Sequence, residues 1–169
     1  MALLGDTAFN LEKYPYIYQR HPVNTKPERF LTEPHEGGNC ELVTHAVTMA
    51  RGFELPRVRS SELFADTIYT KAVDDVSKAK TGDIIGLCKK DKVDYRGIHM
   101  GILWLPTDKE TYLVHNARHE GHVKLQTLEE AMHYGEHAKI AWIKRPIKNN
   151  PSKSNPQALR ELGLEYLTR

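Results

Sequence analysis

His99-Met100-Gly101-Ile102-Leu103-Trp104-Leu105-Pro106-Thr107-Asp108-Lys109-Glu110-Thr111-Tyr112-Leu113-Val114-His115-Asn116-Ala117 reads as two apolar runs around a polar reversal. Each run is short, and Pro106-Thr107-Asp108 carries turn chemistry between them, so the stretch predicts two strands that can lie antiparallel. Further strand signals flank it. Asp83-Ile84-Ile85-Gly86-Leu87-Cys88 precedes it, and His122-Val123-Lys124-Leu125 and Ile140-Ala141-Trp142-Ile143-Lys144 follow. Between these last two, Thr127-Leu128-Glu129-Glu130 is a capping box that opens a short helix.

The chain before the strands is patterned differently. From Cys40 onward, Leu42, Val43, Ala46, Val47 and Ala50 form one apolar stripe at helical spacing. Gly52 stops this helix and Pro56 follows. Ser60 or Ser61 is the expected cap of a short helix through Phe64, and residues 70–82 are polar with Thr81-Gly82 as a turn. Helices first and consecutive strands afterwards predict an α+β domain around an antiparallel sheet.

We expect three segments. Residues 1–30 are an irregular, aromatic-rich arm broken by Pro15, Pro22 and Pro27. Residues 31–146 hold the main domain, and residues 147–169 hold a polar linker and a terminal helix with Leu159, Leu162, Tyr166 and Leu167 on one face. A length of 169 residues with 40% apolar side chains suits one domain with a proper core.

The 24 basic and 22 acidic side chains leave a net charge of +2, with no basic stripe, so nucleic acid is not an expected partner. No apolar run approaches a membrane span. Met1 to Asn10 lack a basic segment followed by an apolar one, so the expected location is the cytoplasm, although signal-independent export would leave the same sequence. Cys40 and Cys88 are expected to be reduced there.

Cys40 follows Gly37-Gly38-Asn39 and opens the amphipathic helix. A helix N-terminus stabilises a thiolate, and a nearby imidazole lowers the thiol pKa further. The glycines permit close backbone approach by a substrate, and the first helical N–H groups have no intrahelical acceptor. The same position also suits an ordinary buried cysteine, which is the reading for Cys88. His99 begins one strand and His115 ends the next, so adjacent antiparallel strands bring two imidazoles together, one orienting the other's tautomer. Asn116 shares the strand but points to its opposite face. His115, His119 and His122 with Cys40 are weighed as zinc ligands, but no paired cysteine motif supports them, and we expect neither metal nor cofactor. His21, His35, His45, His133 and His137 are expected to be surface or packing residues.

Four motifs resemble the NlpC-type papain-like cysteine hydrolases, in matching order across roughly residues 36–145. Asn39-Cys40 resembles the family's nucleophile motif, and Lys80-Thr81-Gly82-Asp83-Ile84-Ile85 its approach to the first core strand. His99-Met100-Gly101-Ile102 resembles the strand that carries the base, and Val114-His115-Asn116-Ala117 the strand whose polar residue orients it. The resemblance implies a papain-like fold, with N-terminal helices packed on a central antiparallel sheet. It implies a catalytic set of Cys40, His99 and His115, with Asn116 the alternative third member. The implied activity is that of a cysteine peptidase or amidase, which hydrolyses an amide bond in cell-wall-type peptides through a thioester. Cell-wall members commonly carry Asp before the nucleophile and Ser after it, where this chain has Asn39 and Glu41. An acyltransferase or thioesterase of the same fold is the alternative, as is a non-catalytic binding module. A peptide or amide is the expected partner, with no nucleic acid or membrane, and the oligomeric state is not legible.

Overall fold

The chain runs through helices into a single sheet. The computed structural model describes residues 11–89, 99–134 and 139–168; the sequence readings on Met1 to Asn10 and on His137 fall outside them. In chain order the elements are α1 (Pro27–Thr32), α2 (Cys40–Ala50), α3 (Ser60–Ala65), β1 (Thr70–Ala72), β2 (Ile84–Cys88), β3 (His99–Thr107), β4 (Glu110–Ala117), β5 (His122–Thr127), α4 (Leu128–Tyr134), β6 (Lys139–Pro146) and α5 (Pro156–Glu161). The strands form one six-stranded sheet in the order β1-β6-β2-β3-β4-β5, and every neighbouring pair is antiparallel. This is an α+β fold.

Both faces of the sheet are covered. Leu42, Val43, Ala46, Val47 and Ala50 of α2 pack with Ile102, Val114 and Val123 on one face. Leu128 and Ala131 of α4 pack with Ile85, Leu87, Leu103 and Leu113 on the other. Neighbours such as Ile102 and Leu103 enter different cores because side chains alternate across a strand. The first core also takes Leu11, Tyr14 and Phe30 from the N-terminal stretch, and Leu159, Leu162, Leu164 and Leu167 from the C-terminal one.

Several local expectations change. Pro27 does not break structure but starts α1 as its first residue, where its missing N–H costs nothing. The polar 70–82 stretch contains the three-residue strand β1, held on the sheet edge by β6. Three residues are too few to show alternation. The cap of α3 is Arg59, not Ser60 or Ser61. The Arg59 backbone N–H donates to the Glu62 carboxylate at 2.9 Å, while the Ser60 N–H is drawn to Glu41 at 3.2 Å. The terminal helix is two pieces, α5 and a 3-10 turn at Glu165–Thr168, because the chain reverses around Gly163 to bury Leu164. The linker stretch lies against the core: Asn150 and Asn155 donate backbone N–H groups to Gly52 and Ala50, each at 2.8 Å. The α4 capping box forms in both directions, Thr127 N–H to Glu130 Oε2 at 3.0 Å and Glu130 N–H to Thr127 Oγ1 at 3.1 Å. Among the described residues no helix is long and apolar enough to cross a membrane.

The two ends of α2 are anchored separately. At its C-terminal end Arg51 donates to the carbonyls of Leu167 (2.6 Å), Gly82 (3.2 Å) and Thr81 (3.3 Å), tying the helix to the turn before β2 and to the chain's end. At its N-terminal end the arm and β4 hold the loop that leads into Cys40.

Candidate active site

Cys40 is the first residue of α2. Asn39 caps the helix, its Oδ1 accepting the Leu42 N–H at 2.9 Å. The loop before it is clamped from both sides. Gly38 donates its N–H to Pro15 O at 3.2 Å, and its carbonyl accepts the Ile17 N–H at 2.9 Å. Asn116 Nδ2 donates to the same Gly38 carbonyl at 2.7 Å and to Pro15 O at 3.3 Å. Gly37 has φ 68°, and a Cβ there would stand 2.1 Å from Pro15 O. The close approach permitted by this glycine is therefore taken by the chain's own arm, and not by a substrate as the sequence suggested.

Cys40 is only 8% exposed. Burial, followed by the Glu41 charge, pushes its pKa up to about 12; backbone N–H groups of Met100 and Glu41 and the Arg59 guanidinium act in the other direction. The expectation of a lowered thiol pKa is thereby corrected: desolvation of an anion and a buried neighbouring carboxylate outweigh the helix start. Glu41 is itself buried. Its carboxylate accepts from Arg59 Nε at 2.7 Å, from the Ser60 N–H at 3.2 Å and from Asn39 Nδ2 at 3.4 Å. Tyr16, read from sequence only as an arm aromatic, also belongs here. Burial and then the Cys40 charge raise its phenol to about 12.

Met100 is one residue from His99, so the thiol meets β3 at its start. His99 Nε2 lies 2.7 Å from His115 Nδ1, with ring centroids 4.9 Å apart at 64°. His115 Nε2 lies 2.8 Å from Gln126 Oε1 on β5. An amide oxygen only accepts, so His115 Nε2 carries the proton and its Nδ1 offers a lone pair. His99 Nε2 is then the donor between the rings, which makes Nδ1 the basic nitrogen of a neutral His99. His115 is 2% exposed, and burial lowers its pKa to about 4, so it stays neutral over the ordinary pH range.

The structure thus brings His99 and His115 together and sets Asn116 elsewhere, on the loop before Cys40. Gln126 had no signal in the sequence. It pairs across from Leu113, while His115 pairs with Lys124, so Gln126 reaches His115 diagonally. Only the register reveals that contact. The weighed zinc residues go their own ways: His119 Nε2 lies 3.4 Å from Glu120, and His122 Nδ1 bonds Val123 O at 2.8 Å. Among the described residues no three metal-type side chains cluster. Cys88 is buried in the same apolar cluster as Cys40. His45 is fully packed inside, and burial lowers its pKa to about 3.

No protein-family model matches the chain, and no curated protein matches it.

Proposed function

We propose that this chain is a cysteine hydrolase of papain-like fold, a peptidase or amidase that cleaves an amide bond through a thioester on Cys40. The observation that carries the reading is the Cys40 helix start meeting β3 beside a His99–His115–Gln126 hydrogen-bond chain. A nucleophile needs a base, and the base needs a group that orients it.

In the proposed cycle the neutral thiol gives its proton to His99 Nδ1 as Sγ attacks the substrate carbonyl. The tetrahedral oxyanion is met by the Cys40 N–H at the start of α2, since Asn39 takes the Leu42 N–H. The C–N bond then breaks, and His99 passes the proton to the leaving amine. Water attacks the thioester with His99 taking one of its protons, and the S–C bond breaks to release the acid and the thiol. A thiol held up to about 12 carries little thiolate at neutral pH, so attack and proton transfer proceed together. A cytoplasmic location, where thiols are kept reduced, is part of this reading. Cell-wall-type peptides are the substrate class we favour.

The test is a comparison of murein peptides, unrelated peptides and acyl esters, with wild type, Cys40→Ala and Cys88→Ala. Amide cleavage with a mass adduct on Cys40, lost in Cys40→Ala and kept in Cys88→Ala, is the expected result. Hydrolysis that persists in Cys40→Ala overturns the reading, and a preference for passing the acyl group to an added amine or alcohol favours the transferase.

A further inference from the structure

Gln126 is a neutral side chain two strands away from the proposed base. We propose that it is a positioning residue that sets the tautomer of both imidazoles, a role that rests on the cysteine-hydrolase reading above. The geometry is a continuous chain: Gln126 Oε1 to His115 Nε2 at 2.8 Å, then His115 Nδ1 to His99 Nε2 at 2.7 Å. Each link has one donor and one acceptor, so fixing the polarity at Gln126 fixes it at His99. An acceptor at position 126 leaves the lone pair of His99 on Nδ1. A donor there reverses every link and puts a proton on that nitrogen, which removes the base.

Burial strengthens this arrangement. His115 is buried, and its lowered pKa keeps a single proton on the ring, so it cannot satisfy both neighbours as a donor. The charged or titratable groups facing His115 are His99 from β3, Lys124 from β5, and His119 and Glu120 from the turn between β4 and β5. None of these holds His115 Nε2; the carboxamide does. A neutral carboxamide orients the ring and raises its pKa only in part against burial, less than a carboxylate's charge would.

The experiment uses the full chain with 15N-labelled histidine, together with the rate at which chloroacetamide alkylates Cys40 at pH 7. In wild type both His115 and His99 should show the Nε2–H tautomer. Gln126→Glu keeps an acceptor, so both tautomers should persist, while the added charge moves the protonation of His115 to higher pH. Gln126→Leu should leave a mixture of tautomers, and Gln126→Lys should reverse them. The reversed form should alkylate as slowly as His99→Ala, a loss within the roughly 10²–10⁴-fold span of general-base catalysis. If Gln126→Leu and Gln126→Lys leave the tautomers and the rate unchanged while His99→Ala slows alkylation, the role of Gln126 is overturned and the hydrolase reading stands. If His99→Ala leaves the rate unchanged, His99 is not the base and both fall.

Discussion

Gly101 and His115 are direct partners across β3 and β4, and nothing wider than a hydrogen fits between them. A Cβ at position 101 would stand 2.9 Å from His115 Cβ, 2.7 Å from Leu113 Cδ1 and 2.6 Å from the Val114 carbonyl oxygen. The missing side chain makes room for His115 on that face of the sheet, in reach of His99. Gly101→Ala must therefore displace backbone as well as side chain. We expect a stability loss of about 1–3 kcal/mol and a rise in the population of the wrong His99 tautomer, read by denaturant titration and 15N spectra. Unchanged spectra would show that the imidazole pair does not depend on this gap.

The resting charge of the thiol can be moved from two sides. Glu41 raises the Cys40 pKa and Arg59 lowers it, and the two are paired at 2.7 Å. In wild type, alkylation of Cys40 should keep rising past pH 9. Glu41→Gln removes the neighbouring anion and should shift this limb to lower pH, while Arg59→Gln should shift it upward. Limbs that move together in both variants would point to a common packing effect and not to charge.

His115 and Asn116 are adjacent, and their losses should look different. His115→Ala removes the ring that orients His99 and should lower turnover strongly without abolishing it, since the thiol and its oxyanion donor remain. His115→Asn or His115→Gln should recover part of that loss. Asn116 is fully buried and holds both Gly38 and Pro15, so Asn116→Ala should cost stability instead, about 1–3 kcal/mol, through the two buried hydrogen bonds it loses, while each carbonyl keeps one backbone donor. Unfolding curves and turnover measured side by side separate the two. A His115→Ala variant with full turnover would remove it from the proposed mechanism.

Acid should destabilise the fold before its carboxylates titrate. His115 and His45 stay neutral in the fold down to about 4 and about 3, against 6.5 for an unperturbed histidine. Below 6.5 the unfolded chain binds protons that the fold refuses, so stability is full above that pH and falls as pH drops toward 4. The loss is on the order of a few kcal/mol by pH 5. His45 Nε2 has no hydrogen-bond partner, so His45→Gln removes one of these groups without breaking a contact of that nitrogen. Urea midpoints at pH 8 and pH 5 should differ less in this variant than in wild type; equal differences would place the acid sensitivity elsewhere.

Local pattern determined much of this protein. The apolar stripe after Cys40 set α2, the two runs set β3 and β4, although β3 carries on through Pro106 and Thr107 so that the turn falls at Asp108-Lys109, and strand alternation already separated His115 from Asn116. These are short-range properties, carried by periodicities of 3.6 and 2 residues. Long-range pairing decided the rest. Gln126 reaches His115 only because β4 and β5 adopt a particular register, and Pro15 fills the space beside Gly37 only because the arm folds back over the loop. The same holds for the thiol. A helix start and an imidazole argue for a low pKa, but burial depth and the Glu41–Arg59 pair depend on how α2 and α3 pack, and in a desolvated site those terms win.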